Sequence, residues 1–363
     1  MSQDGRRLRP GLAAVSFSEH GGGVAYVGRL LRQALTETYG RVWATAVDPG
    51  RFDRVTAGET ASFAARVVAA NALGLFDWVI YNHPGIAKVQ HRIPARIRRP
   101  YAVQLHGTDV FDAPLSQDRM SAIRGAALRL APSRFTVSRA LAVNPELGPI
   151  TVCPHALLPA TDHPSGTVDQ ALLDRVGPRA ALVVGRLSSA ERRKGHDQLL
   201  DAWPLVRSHV PTAQLVVVGE GDDLARLRTR ARDNGISDAV LFPGFASEAT
   251  VRALMARCAV FAMPSRQEGF GLVFAEAMRE GMPCIGATLD AAEEVIVDGV
   301  TGFLVEQMDR DGLVAALGRL LASDALCREM GEAGRRRYEH EYTFEPYRRR
   351  LTAILAETFT RSA

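Results

Sequence analysis

Glu268 and Glu276 stand eight positions apart in the segment Met263-Pro-Ser-Arg-Gln-Glu-Gly-Phe-Gly-Leu-Val-Phe-Ala-Glu-Ala-Met278. The apolar run Val260–Ala262 precedes them, Gly269 and Gly271 permit a tight backbone path, and a helix is expected from about Leu272. Two carboxylates repel phosphate but accept hydrogen bonds from hydroxyls, as a sugar or a ribose offers them. The expected helix N-terminus between them suits an anion. Gly185-Arg186-Leu187 closes another apolar run and Lys194-Gly195 opens the next expected helix, so two cations bracket one strand-to-helix connection. Arginine offers phosphate a planar fork, and lysine a compact point charge. Lys194 stands out because Lys88 is the only other lysine among 44 basic residues. Hydroxyls at the carboxylates and a diphosphate at the cations describe a nucleotide sugar. Capping glutamates and a solvated charged face are the plainer alternatives.

Other positions carry weaker signals. Gly21, Gly22 and Gly23 follow Glu19-His20 and lead into an expected helix, where backbone N–H groups can approach an anion. Tyr26 occupies the third glycine place of the dinucleotide fingerprint, and no Gly-Lys-Ser/Thr follows, so neither that motif nor a P-loop is present. A plain flexible turn stays open there. His106-Gly107-Thr108-Asp109 follows an expected strand, where the imidazole can donate to hydroxyls or move a proton, or serve only to hold the loop. His83, after Asn82, reads as structural. Gly219-Glu220-Gly221 is a second place for close backbone approach. Asp309-Arg310-Asp311 precedes a helix and reads as a cap rather than a metal site.

These residues need strands to hold them, and the chain supplies a strand-helix alternation. Strands are expected at Ala13–Phe17, Val42–Ala46, Trp78–Tyr81, Tyr101–Leu105, Leu128–Ala131 and Ile150–Cys153, with helices at Val24–Thr38, Ala61–Leu73 and Phe135–Val143. Prolines and Gly166 break the rhythm over residues 154–167, which reads as a linker. The alternation restarts at Ala180–Val184, Leu215–Val218, Val240–Phe242, Val260–Ala262, Pro283–Gly286 and Gly302–Val305, and a basic amphipathic helix is expected at Phe344–Thr360. Neither half repeats the other in sequence. Two doubly wound α/β domains follow, with parallel sheets covered on both faces. Ligands of such sheets bind beyond the carboxyl ends of the strands, where the residues above fall.

The length of 363 residues fits two domains large enough to fold without disulfides. No run of about 18 apolar residues spans a membrane, no secretory leader is recognisable, and four isolated cysteines read as reduced core thiols, so a cytoplasmic location is expected. The net charge of +4 hints at nucleic acid, but the arginines are interspersed with acids and lack interleaved aromatics, so no nucleic-acid partner is expected. The stretch His91–Arg99 alternates arginine with isoleucine, which suits either a solvated surface or peripheral contact with an anionic membrane.

Taken in order, Val184-Gly185-Arg186-Leu187, Lys194-Gly195-His196-Asp197, Val218-Gly219-Glu220-Gly221, Phe242-Pro243-Gly244-Phe245, the Glu268-to-Glu276 segment and Asp298-Gly299-Val300-Thr301-Gly302 resemble the retaining glycosyltransferases of family 4. The resemblance runs over nearly the whole chain. It implies the GT-B fold, two Rossmann-like domains facing across a cleft: residues 1–158 for the acceptor, 159–342 for the donor, and 343–363 as a helix crossing back onto the first. It implies transfer of a sugar from a UDP- or GDP-linked donor to a saccharide, lipid-linked or small-molecule acceptor, with no metal or cofactor.

By the same resemblance, Arg186 and Lys194 clamp the diphosphate. Glu268 meets the donor sugar together with the backbone of Gly269, Phe270, Gly271 and Leu272, and Glu276 holds the ribose. The backbone near Phe245 meets the base, Gly21–Gly23 lie near the phosphates and acceptor, Gly219 lines the donor site, and His106 is the histidine of the first domain. Asp290-Ala291 stands where many relatives have two glycines, and Cys153-Pro154-His155-Ala156-Leu157-Leu158 departs from the usual linker, so no role is carried onto it. Rival readings are a nucleotide-sugar epimerase, a non-catalytic donor-binding subunit and, disfavoured by Tyr26, an NAD-dependent oxidoreductase.

Overall fold

The computed structural model describes residues 8–19, 21–47, 55–159 and 165–360. They form two compact units, one from the chain up to Leu158 together with the segment from Thr343 onward, the other Pro159–Tyr342.

In the first unit, β1 (Pro10–Ala14), β2 (Trp43–Ala46), β3 (Trp78–Tyr81), β4 (Tyr101–Gln104), β5 (Leu128–Ala131) and β6 (Thr151–Val152) form a parallel sheet in the order β2-β1-β3-β4-β5-β6. β1, β3 and β4 are buried along their whole length, so helices must cover both faces. The first strand lies earlier than the expected Ala13–Phe17. Proline is tolerated at a strand's first residue, and the strand ends where Val15 N–H leaves the ladder to donate to Asn82 Oδ1 at 2.8 Å. The helix expected from Val24 begins at Gly22 and runs to Tyr39.

On one face, Leu30, Leu31 and Leu35 of that helix pack with Leu12, Trp78 and the helix Phe344–Thr360, which supplies Tyr347, Leu351, Leu355 and Phe359. The Trp78 and Phe359 rings stack with centroids 4.7 Å apart. A helix from the far end of the chain thus completes the first core.

In the second unit, β7 (Ala180–Val184), β8 (Gln214–Val218), β9 (Val240–Gly244), β10 (Val260–Ala262), β11 (Cys284–Ala287) and β12 (Gly302–Val305) are again parallel, ordered β12-β11-β10-β7-β8-β9. Strand order reverses between β1 and β3 in the first sheet and between β7 and β10 in the second. At such a reversal the helices leave on opposite faces, and the connections beyond the strands' carboxyl ends part to leave a crevice. Gly21–Gly23 follow β1, Arg186 follows β7 and Glu268 follows β10.

Among the described residues no helix is long and apolar enough to cross a membrane. All four cysteines are free thiols, with Cys153, Cys258 and Cys284 buried.

Candidate functional site

The second unit assembles its site at the β7/β10 reversal. After β7 the chain makes a short helical turn, Ser189–Lys194, before the helix His196–His209. Gly195 joins them at φ +86°, and a Cβ there would sit 2.8 Å from the Pro264 carbonyl oxygen. Arg266 N–H donates to the Arg193 carbonyl at 2.7 Å. These contacts seat Lys194 against the loop after β10, and its Nζ lies 3.2 Å from Glu268 Oε2. The cation assigned to a diphosphate and the carboxylate assigned to a sugar therefore meet each other in the ligand-free protein. Arg186 is exposed, and no hydrogen bond or ion pair among the described residues holds it.

The loop carrying Glu268 is shaped by its glycines. Gly271 caps the helix Leu272–Arg279 in the left-handed conformation, and a Cβ would fall 2.5 Å from the Phe274 ring. Gly269 and Phe270 are buried, and Phe270 meets the Tyr342 ring edge-on. Glu276, in that helix, is partly buried and receives no side-chain hydrogen bond among the described residues. Burial pushes its carboxyl up to about 7, against a lowering by Arg279. Such a group suits partners that donate hydrogen bonds.

Phe245 follows β9 and is 63% exposed, a large apolar side chain that the core does not use. Gly219 has a plainer reason than ligand approach: a Cβ would lie 1.9 Å from the Gly185 carbonyl oxygen, so two strand ends pack too closely for any side chain. Asp309 Oδ1 accepts from Gly312 N–H and caps the helix Arg310–Ala322.

The first unit brings together a separate histidine cluster. His106 follows β4, and its Nε2 donates to the Asn82 carbonyl. A carbonyl only accepts, so Nε2 carries a proton. Asp109 fixes the loop by accepting from the backbone N–H of His106 and Gly107. The His83 ring lies 5.9 Å from that of His106, and its Nδ1 accepts from Gly85 N–H in a helix cap. Burial pushes the His83 ring down to about 4 and the His155 ring down to about 3. Gly21 precedes the helix Gly22–Tyr39, Gly22 is left-handed at φ +62°, and a Cβ on Gly23 would touch nothing. His20 lies outside the described residues.

Residues 167–337 match the family model of glycosyl transferases group 1. A GDP-mannose-dependent alpha-(1-6)-phosphatidylinositol monomannoside mannosyltransferase of Mycolicibacterium smegmatis is 35% identical over 214 residues, 56% of this chain and 55% of that protein. The match thus spans about half the length of that relative. Among solved structures, a sucrose-phosphate synthase from Thermosynechococcus elongatus superposes with a TM-score of 0.77 at 21% identity, covering 98% of this chain and 100% of that one. An Anabaena protein in complex with UDP and glucose superposes with a TM-score of 0.75 at 19% identity, covering 96% and 100%. The fold is GT-B.

The group 1 match falls on the second GT-B unit and spans its candidate residues from Arg186 to Glu276. It also contains a group to which composition assigned no role. Asp290, 1% exposed, accepts from Glu268 N–H at 3.0 Å and from Ser265 Oγ at 3.2 Å. The sequence marks it as a departure from the relatives' glycine, but its partner is 22 positions away and meets it only because β10 and β11 are neighbours. In the first GT-B unit, the isoleucines of the His91–Arg99 stretch serve the core. Ile93 is 1% exposed and Ile97 packs against the same cluster, leaving Arg92, Arg96, Arg98 and Arg99 at the surface.

Proposed function

We propose that the protein is a retaining glycosyltransferase, moving a sugar from a nucleoside diphosphate sugar to an acceptor hydroxyl. The observation that carries this reading is the meeting of Lys194 and Glu268 at the β7/β10 reversal, 3.2 Å apart, with Arg186 exposed after β7. An ammonium already beside a carboxylate is poised to share itself with a β-phosphate, leaving that carboxylate to accept from the sugar. Glu276 would take the ribose hydroxyls and Phe245 would flank the base.

In the reaction the bond from anomeric carbon to phosphate oxygen breaks, and the bond to the acceptor oxygen forms on the same face. The acceptor's proton passes to the leaving phosphate. Arg186, Lys194 and the N–H groups at Gly271 and Leu272 would stabilise the charge developing there, as preorganised donors do. These groups supply that stabilisation from the chain itself, so turnover is expected to survive chelation of metals. Acceptor binding is assigned to the first unit, with His106 meeting an acceptor hydroxyl.

The mannosyltransferase relative favours GDP-mannose and a lipid-linked acceptor, in glycolipid or surface-polysaccharide synthesis. The complex with UDP and glucose keeps UDP-sugars in view. The exposed arginines of residues 92–99 would supply electrostatic contact with an anionic membrane, without apolar insertion.

A thermal-shift screen of UDP, GDP, ADP and their sugars tests donor binding, since a ligand raises stability by mass action. Transfer to an acceptor, with the product's anomeric configuration read by NMR, tests the reaction. Release of a C2 epimer without acceptor would establish the epimerase instead, and tight binding with no turnover on any acceptor would leave a binding subunit. Binding of none of these nucleotides would refute the reading.

A further inference from the structure

Asp290 is a buried carboxylate joining two loops at the carboxyl ends of β10 and β11. Its Oδ2 accepts from Glu268 N–H and Ser265 Oγ, and its Oδ1 accepts from Ala292 N–H at 3.2 Å. Ser265 is itself 1% exposed. A buried carboxyl group is costly unless its lone pairs are met, and here three donors converge on it while burial pushes it up to about 7. Each loop carries a non-glycine residue in the left-handed region next to a tied residue: Gln267 at φ +69° before Glu268, and Leu289 at φ +55° before Asp290. Such residues persist only where their surroundings over-determine them. Glu268 is thus held at both ends, its peptide by Asp290 and its carboxylate by Lys194 at 3.2 Å.

One consequence concerns hydrogen-bond supply. Because Glu268 N–H is already spent on Asp290, it is not available to a ligand beside Glu268. The Glu268 carboxylate, in turn, can reach only those hydroxyls that its fixed peptide permits.

Resting on the transferase reading above, we propose that Asp290 is a positioning residue that fixes the Glu268 peptide and thereby sets which hydroxyl of the donor sugar the Glu268 carboxylate recognises. Asp290 touches no substrate itself. It acts through one hydrogen bond on the residue that does.

The experiment compares wild-type protein with Asp290→Ala and Asp290→Asn, using paired sugar nucleotides that differ only in the configuration of one hydroxyl, GDP-mannose and GDP-glucose or the UDP counterparts. The readout is the ratio of kcat/KM for the two, which does not depend on how much of a preparation is active. Asp290→Ala is expected to shrink the ratio at least about tenfold, because a displacement near 1 Å can cost about 10²-fold. Affinity for the nucleoside diphosphate alone should stay within about twofold. Asp290→Asn keeps an oxygen for Glu268 N–H and should recover most of the ratio. An unchanged ratio in Asp290→Ala overturns the proposal.

The wild-type protein supplies a check independent of whether either variant folds. With ¹⁵N-labelled glutamate, the Glu268 amide should be protected from exchange without ligand and should stay protected when donor is added. An amide that exchanges freely without ligand equally overturns the proposal. If the wild-type protein binds none of these sugar nucleotides, the transferase reading fails, while the amide measurement still decides whether Asp290 fixes Glu268.

Discussion

Lys194 and Glu268 neutralise each other in the ligand-free protein, so a diphosphate must compete with a carboxylate for the ammonium. Removing the lysine leaves Glu268 without its cation and, in the proposed reaction, the leaving phosphate short of one. Lys194→Ala is expected to lower kcat by about 10²–10³-fold at saturating donor, as loss of one preorganised donor does. Near-wild-type turnover would withdraw the clamp assignment. Glu276 makes a second prediction. Burial raises its carboxyl to about 7 in the folded chain, above its unfolded value, so the native state binds the extra proton between about pH 4.5 and 7. Stability from this group is therefore lost as pH rises through that window. Glu276→Gln cannot ionise, and it should gain about 2 kcal/mol on wild type between about pH 5 and 8, allowing for partial exposure of the side chain. On the proposed role, in which ribose hydroxyls donate to the Glu276 carboxylate, nucleotide binding should run the other way, tightening as pH rises. Calorimetry near pH 6.5 in two buffers of different ionisation enthalpy reads the proton released. Absence of that proton would remove Glu276 from the ribose.

The loops that present these groups are set by close backbone packing between neighbouring strand ends. Gly219 N–H donates to the Gly244 carbonyl, and the Gly219 Cα faces Gly185 so closely that a methyl would lie 1.9 Å from its carbonyl oxygen. Its φ of +146° adds strain for any L side chain. Gly219→Ala should cost about 3 kcal/mol in urea unfolding, from backbone strain and forced displacement together. It should also weaken nucleotide binding by moving the β7 end that carries Arg186. A neutral substitution would show that this packing is looser than described. Strands were legible because burial on both faces writes itself as short apolar runs; Trp78–Tyr81, Leu128–Ala131, Ala180–Val184, Val260–Ala262 and Gly302–Val305 match β3, β5, β7, β10 and β12 in their bounds. Glu268, Arg186 and Lys194 were legible because each follows such a run. Sheet order was not, since one buried strand looks like another. The role of Asp290 and the bond from His106 to Asn82 were illegible for the same reason: each is decided by a partner beyond the end of a neighbouring strand, Glu268 in one case and Asn82 in the other.

Counted along the chain, the domains end in sequence order, but the first core is completed by residues that come after the second unit. Phe344, Tyr347, Leu351, Leu355 and Phe359 recur along one face of the last helix, and all are buried among residues from β1, β3 and the helix Gly22–Tyr39. Helical spacing alone predicted an amphipathic helix there; which core receives its apolar face is a property of the whole molecule. Phe359 is 3% exposed and stacks on Trp78 with an interplanar angle of 1°. Phe359→Ala deletes that stack and opens a void, at a cost of about 3–5 kcal/mol. The loss should be confined to the first unit, because the stack and every member of that cluster belong to it. Hydrogen exchange on the full chain, read peptide by peptide, should show faster opening of β1, β3 and the helix Gly22–Tyr39, with β7 to β12 unchanged. Affinity for a nucleoside diphosphate, assigned to the second unit, should stay within about twofold, while the first unit unfolds earlier and turnover falls at temperatures where it does. Equal destabilisation of peptides from β7 to β12, or loss of nucleotide binding in step with the first unit's melting, would mean that the two units unfold as one.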